Sequence, residues 1–229
     1  KNHIIPILIV SLIGTVLPAI IFAYAQNYIN SASAGMLNSL TPIFTFLLGL
    51  IIYKNRWSNK SLIGIIIGLA GSYILLLPTN THILQTKYSL LIILATLFYA
   101  LSINTIKEKL YSLKPLDIAV ISSFISFIIP VIFILNNDLS YSLNKINHNF
   151  TPFIYIIILG GICTSLAIVL FNYLIQKTSA LFGSSTTYLI PVFAILWGTI
   201  DNEIINTHEI IGVIIILSGV FIMNYKKID

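Results

Sequence analysis

The sequence predicts an all-α, polytopic membrane helical bundle built from inverted five-helix repeats. Hydrophobic residues make up 57% of the chain and charged residues 8%, whereas a soluble domain carries about 25% charged residues. The apolar residues fall into eight runs, each near the ~20 residues that cross a bilayer. The stretch from Phe22 to Gly71 recurs 149 positions later. Because 8% charged residues are too few to cover a water-facing surface, most of the chain is predicted to face lipid.

Each apolar run is predicted to be a helix, because backbone polar groups cannot stay unpaired in lipid. The runs lack the alternation of transmembrane β-strands. Most connections are short, which favours antiparallel neighbours, and the longest, 136–151, is rich in Asn and is predicted to be a solvated loop. The approximate bounds are A 4–25, B 32–53, C 61–78, D 88–106, E 117–135, F 152–176, G 181–200 and H 209–225.

The basic residues divide unequally between the two sides of the membrane. If the helices alternate in direction, two Lys residues, Lys87 and Lys145, fall on one side, and the remaining ten Lys and Arg residues fall on the other. Loops rich in Lys and Arg stay in the cytoplasm. We therefore predict a multi-pass protein of the cell (inner) membrane with a cytoplasmic C-terminus. The ten residues are Lys1, Lys54, Arg56, Lys60, Lys107, Lys109, Lys114, Lys177, Lys226 and Lys227.

The repeat aligns helices A, B and C with F, G and H. Helices D and E precede F, whereas nothing precedes A in this sequence. We therefore expect residues 1–79 to hold the last three helices of a first repeat, and 80–229 to form a complete second repeat. The aligned pairs that carry weight are Phe22 and Phe171, Tyr24 and Tyr173, Leu40 and Leu189, Pro42 and Pro191, Gly49 and Gly198, and, after a one-residue gap, Gly64 and Gly212, and Gly71 and Gly219.

An odd number of helices per repeat places the second copy upside down in the membrane. The B–C loop is basic, whereas its counterpart between G and H carries Asp201, Glu203 and Glu209 with no Lys or Arg. Inverted repeats are common in secondary transporters, whose substrate site lies near the membrane midplane. We predict transport of a small metabolite by alternating access. A non-transporting membrane scaffold or partner subunit is the alternative.

The pattern resembles the EamA-type drug/metabolite transporter superfamily. It consists of small residues, then Leu40-Thr41-Pro42 with an apolar run to Gly49, and Leu189-Ile190-Pro191 with Gly198 in the second copy. The resemblance implies ten helices in two five-helix repeats. It also implies export, import or exchange of a small metabolite, namely an amino acid, a nucleotide-like compound or a drug-like solute. The family usually has Glu at the end of the Pro-containing helix in both copies. Glu203 fits, but the first copy has Lys54.

Polar side chains inside membrane helices usually face a cavity or the bundle interior. Eight such residues are predicted to line a substrate pathway: Tyr24, Asn38, Thr41, Tyr99, Ser102, Asn172, Tyr173 and Thr187. Helix–helix packing is the alternative for Ser and Thr, and an interfacial aromatic belt is the alternative for Tyr24 and Tyr173. Pro42 and Pro191 each remove a helical hydrogen bond and mark candidate hinges, or static bends.

Nothing in the sequence indicates catalysis. It has no P-loop and no HExxH pattern, and a single cysteine, Cys163, excludes a Cys-based metal site. We therefore predict no enzyme activity, no metal and no cofactor. No acid lies deep in any run, so the sequence gives no support for proton coupling. The expected partners are the lipid bilayer and a small-molecule substrate, with a homodimer as an option and no nucleic acid.

Overall fold

The computed structural model describes residues 3–29, 31–55, 58–75, 86–135, 151–190, 192–193 and 207–224. Within these ranges every regular element is helical. The elements are α1 (Ile4–Leu8, a π-helical segment Ile9–Val16, and Leu17–Ala25), α2 (Ser31–Asn38), α3 (Thr41–Ile51), α4 (Asn59–Leu75), α5 (Thr86–Lys109), α6 (Pro115–Leu135), α7 (Thr151–Ile157, a π-helical segment Ile158–Thr164, and Ser165–Lys177), α8 (Ala180–Ser185, followed by a 3₁₀ turn Thr186–Tyr188) and α9 (Thr207–Asn224).

The predicted all-helical membrane bundle is confirmed. Helices A, C, D, E, F and H appear as α1, α4, α5, α6, α7 and α9, with bounds close to the predicted ones. Among the described residues, four helical stretches are long and apolar enough to cross a membrane: Ile4–Ala25, Lys87–Lys109, Pro115–Ile132 and Ile154–Lys177.

The prediction of one continuous helix B was wrong, because the helix stops at Asn38 and restarts at Thr41. Pro42 has no N–H, so the carbonyl of Asn38 loses its helical hydrogen-bond partner. The hydroxyl of Thr41 donates to that carbonyl at 2.7 Å instead. Pro42 lies in the first turn of α3, where its missing N–H costs nothing.

Helix G also departs from a regular α-helix, and at the corresponding place. After Ser185 the backbone tightens into the 3₁₀ turn Thr186–Tyr188, shortly before Pro191. Pro191 itself and residues 194–206 lie outside the described residues. The two stretches thus share a departure from the regular α-helix, just before the prolines that the sequence marks as candidate hinges or static bends.

The π-helical segments of α1 and α7 begin 149 residues apart. In each segment a threonine hydroxyl donates to the carbonyl five residues earlier. Thr15 donates to Val10 at 3.2 Å, and Thr164 donates to Leu159 at 2.7 Å. Both pairs occupy the same place relative to the 149-residue offset. The two helices that the sequence aligned therefore share an uncommon backbone irregularity.

Helices α4 and α9 form the most extensive helix pair of the described chain. The end of α4 meets the start of α9, since Gly71 lies against Gly212 and Ile216, while Gly219 lies against Gly64. The two helices therefore run antiparallel. Glycines at such contacts let two backbones approach closely, which is typical of membrane helix pairs.

Three loops that the charge pattern assigned to one side of the membrane meet at one end of the bundle. Asn55, after α3, donates from Nδ2 to Glu108 Oε1 at 3.0 Å. Lys107 Nζ donates to the carbonyls of Gln176 at 2.9 Å and Thr178 at 2.7 Å, at the end of α7. A cation there complements the free carbonyls of a helix C-terminus. The arrangement agrees with the predicted alternation of helix direction.

Candidate functional site

A cavity of about 720 Å³ lies in the middle of the bundle. Its lining residues come from the central part of the spans α1, α5 and α7, from the break between α2 and α3, and from the turn after α8. Cavities of this volume are typical of small-molecule sites. The walls are Val10, Gly14, Thr15, Ala19, Asn38, Thr41, Tyr99, Ser102, Ile103, Ile106, Ser122, Cys163, Thr164, Ala167, Ile168, Phe171, Asn172, Thr186, Thr187 and Ile190.

Six of the eight predicted pathway residues line this one cavity: Asn38, Thr41, Tyr99, Ser102, Asn172 and Thr187. They come from five different helical segments. Polar side chains far apart in sequence thus converge where a solute can reach them. Asn38 and Thr41 flank the break before Pro42, and Thr187 lies in the 3₁₀ turn that precedes Pro191.

The structure places Tyr24 and Tyr173 away from the cavity. Tyr24 is 47% exposed, and its ring contacts Tyr28 and Tyr88 at the outer ends of α1 and α5, with centroids 5.5 and 6.0 Å away. Tyr173 is 52% exposed, with Lys177 Nζ 5.8 Å from its ring centroid. Aromatic rings near helix ends, beside lysines, are typical of an interfacial belt.

Several cavity residues were missed by the sequence reading, among them Gly14, Thr15, Ser122, Thr164 and Thr186. Thr15 and Thr164 carry a signal that could have found them, since they are hydroxyl residues 149 positions apart in apolar helices. Gly14 has a steric role. A Cβ built there would overlap the side chain of Ser102, so this glycine permits α1 and α5 to approach at the cavity wall.

Most hydroxyls on the cavity wall use their single hydrogen within their own segment. Thr41 donates to Asn38, Ser122 to Ala119, Thr186 to Gly183 and Thr187 to Ser184, in each case to a backbone carbonyl three residues earlier, over 2.7 to 3.2 Å. A hydroxyl has one hydrogen and two lone pairs. These groups therefore present acceptor lone pairs to the cavity.

Asn172 is 2% exposed, and its Nδ2 is buried with no hydrogen-bond partner in the described part of the chain. An unpaired buried donor costs about 1–3 kcal/mol. Such a cost is compatible with a native structure when a ligand or an ordered water supplies the missing acceptor. Because Asn172 lies on the cavity wall, the natural place for that acceptor is the cavity.

A second cavity, of about 570 Å³, lies toward the end of the bundle where Asn55, Lys107 and Glu108 meet. In the wall of this second cavity, Asn104 Nδ2 donates to the carbonyls of Thr45 and Ala100, each at 3.0 Å. The first of these bonds ties α5 to α3. The Asn104 Oδ1 atom, in contrast, is buried without a partner.

The lining of the central cavity suits non-covalent binding of a small molecule. No group of three or more His, Cys, Asp or Glu residues that could hold a metal ion occurs within the described ranges. The lining of the central cavity holds hydroxyl, amide, aromatic and aliphatic side chains, together with Cys163. Such a lining holds a solute by hydrogen bonds and apolar contact.

Comparison with known proteins identifies the family. The sequence pattern of the EamA-like transporter family matches residues 1–77 and 86–225. The chain belongs to the EamA-like transporter family. The resemblance noted in the sequence is thereby confirmed, and the chain is a multi-pass membrane protein of a transporter family.

Two relatives from Bacillus subtilis (strain 168) are similar to this EamA-like chain. One is the uncharacterized transporter YetK, 27% identical over 237 residues, which cover 99% of this chain and 70% of YetK. The other is the uncharacterized transporter YcxC, 24% identical over 218 residues, which cover 89% of this chain and 68% of YcxC. A solved crystal structure has the same fold, with a TM-score of 0.74 and 14% identity over 98% of this chain and 76% of the other.

Proposed function

We propose that this EamA-like protein is a secondary transporter of the cell inner membrane, and not an enzyme, that moves a small metabolite by alternating access between two inverted helical repeats. The repeats are 1–79 and 80–229, the central cavity is the substrate site, and the C-terminus is cytoplasmic. Lipid and the transported solute are its partners, and a homodimer is compatible with the mechanism.

The observation that carries the proposal is the pairing of residues across the cavity. Both members of five pairs separated by the 149-residue offset line the same cavity. Five of the six lining residues from α1 to α3 thus have their repeat counterpart in the same lining. The pairs are Gly14 and Cys163, Thr15 and Thr164, Ala19 and Ile168, Asn38 and Thr187, and Thr41 and Ile190.

Such pairing is expected when a two-fold axis in the membrane plane passes through the site. Exchanging the conformations of the two repeats then converts a cavity open to one side into one open to the other. The two arrangements differ little in free energy, because each repeat adopts a conformation that its partner adopts in the other state. A solute that binds both states can therefore be carried across.

A contact in the wall of the second cavity fits the same mechanism. Asn104 joins α5 to α3 through the carbonyl of Thr45, beside the candidate hinge at Pro42. The basic loops suggest that the second cavity faces the cytoplasm. Opening this contact would join the two cavities and give the central site access to that side.

Flux through proteoliposomes tests the proposal. Vesicles containing the protein are incubated with an isotopically labelled mixture of amino acids, nucleosides and organic acids, and the trapped solutes are identified by mass spectrometry. We expect saturable uptake or release of at least one solute. Thr187→Phe, which fills the cavity, should reduce that flux at least tenfold. Ser218→Phe is the matched control, because Ser218 is exposed on α9. A scaffold would show no saturable flux in any variant.

A further inference from the structure

The side chains that line the central cavity determine which charge and which hydrogen-bonding groups a bound solute should carry. We propose that the cavity selects a solute that carries no net charge and offers both an acceptor oxygen, for Asn172, and N–H or O–H donors, for the surrounding hydroxyls. This inference rests on the proposed function, since it concerns the substrate class of the same site.

The described residues of the cavity wall carry no charge, which argues against a solute with a net charge. Every described residue that lines the cavity is uncharged, whereas Lys107 and Glu108 line the second cavity. An ion inside a membrane protein is costly unless an opposite charge or several oriented dipoles meet it. A solute with no net charge avoids that cost.

The hydroxyls of the wall favour donors on the solute. Thr15, Thr164, Thr186 and Thr187 each donate to a carbonyl of their own segment, so their lone pairs remain for a ligand. A solute that carried acceptors alone would place lone pair against lone pair around most of the site. Solute N–H or O–H groups meet these oxygens favourably.

Asn172 favours an acceptor on the solute. Its amide nitrogen is a buried donor on the cavity wall without a partner, and a solute carbonyl or other acceptor oxygen would satisfy it. Phe171 beside it contributes an apolar wall. A polarised ligand, with an acceptor at Asn172 and donors toward the threonines, uses both sets of groups at once.

Cys163 gives a direct reporter, because it lines the cavity, is exposed and is the single cysteine of the sequence. The alkylation rate of Cys163 by N-ethylmaleimide is measured in the purified protein at pH 7 with four probes of similar size. Benzamide has a carbonyl oxygen and N–H donors, benzoate is an anion with acceptors only, benzylammonium is a cation with donors only, and toluene is apolar. We expect benzamide to slow alkylation and the other three to have at least tenfold weaker effects.

Substitution of Asn172 tests whether protection by benzamide depends on the hydrogen bond from Asn172 or on packing alone. Asn172→Leu should weaken protection by benzamide about tenfold, because the donor is lost. Asn172→Asp should transfer protection to benzylammonium, since a carboxylate now faces the ligand. Asn27→Leu is the control, because Asn27 is exposed and bonds to its own helix, to Ala23 and Tyr24. Each variant must elute as a single species and alkylate at the wild-type rate without probe.

Three outcomes overturn the inference: equal protection by an ionic or apolar probe, unchanged benzamide protection in Asn172→Leu, or protection of wild type by none of the four. The assay needs no transport. Protection by benzamide without flux in proteoliposomes would leave the ligand class standing and remove the proposed transport function. Flux of a solute with a net charge would do the reverse.

Discussion

A Cβ atom built on Gly71 would lie 3.0 Å from the carbonyl oxygen of Gly212. The reciprocal contact also exists, since a Cβ on Gly219 would lie 2.8 Å from the carbonyl oxygen of Gly64. Gly64 corresponds to Gly212 in the sequence repeat, and Gly71 to Gly219. A contact in which residue i meets j, while the counterpart of i meets the counterpart of j, is typical of a two-fold axis. This pair of helices therefore supports the inverted arrangement independently of the cavity.

We predict that Gly71→Ala destabilises the protein by about 1–3 kcal/mol, the usual cost of overpacking. The new methyl group would lie 2.7 Å from the backbone nitrogen of Ile216, so α4 and α9 would have to separate. Thermal unfolding in detergent measures the effect. Gly161→Ala is the control, because nothing lies within 4 Å of a Cβ at Gly161. Equal stability of the two variants would contradict the close helix pair.

We predict that cysteines at Lys54 and Glu203 are labelled from opposite sides of the membrane. The two positions correspond to each other in the 149-residue sequence repeat, and an inverted second repeat would place them on opposite sides of the membrane. The experiment uses Cys163→Ser as background and a membrane-impermeant maleimide applied to sealed vesicles of known orientation. Lys54→Cys should react from the cytoplasmic side. Reaction of both from one side would remove the inverted arrangement.

Much of this architecture could be predicted from the sequence, because membrane helices are specified by length and hydrophobicity. The glycine and proline matches indicated a repeat, and six of the eight polar residues predicted for the pathway line the cavity. Length, hydrophobicity and residue matches could not predict that the helix is interrupted at Ser39 and Leu40. Pro42 is compatible both with a kink inside a helix and with a new helix start. In this chain a new helix starts at Thr41, whose hydroxyl satisfies the Asn38 carbonyl.

The fully buried Tyr188 illustrates a second limit of the sequence reading. Its hydroxyl donates to the carbonyl of Ile65 at 3.3 Å, and its ring packs against Gly68 of α4. The repeat counterpart of Tyr188 is Ser39, so the duplication gives no sign of this contact. An asymmetric side chain between repeats is visible only when the helices have been placed.

We predict that Tyr188→Phe lowers the free energy of unfolding by about 0.5–1.5 kcal/mol, the net contribution of one hydrogen bond. The ring, and with it the packing on Gly68, stays in place, so the change isolates the hydroxyl. Unfolding in detergent with increasing denaturant measures the difference. Tyr155→Phe on α7 is the control, since Tyr155 is 66% exposed. The hydrogen bond to α4 would be unimportant if both variants unfolded alike.

We predict that Pro42→Ala slows transport without destabilising the fold. Alanine restores an N–H for the Asn38 carbonyl, which then no longer depends on Thr41, and a continuous helix through Ser39 and Leu40 becomes favourable. If alternating access requires the interruption to flex, straightening it should reduce the flux of the transported solute about tenfold while leaving the unfolding temperature equal or higher. Pro130→Ala is the matched control, because Pro130 lies inside helix α6 on an exposed face away from the cavity. Wild-type flux in Pro42→Ala would show that the break only shapes the cavity wall. A static bend would still let Asn38 and Thr41 line the cavity, whereas the added hydrogen bond would stop a hinge from moving.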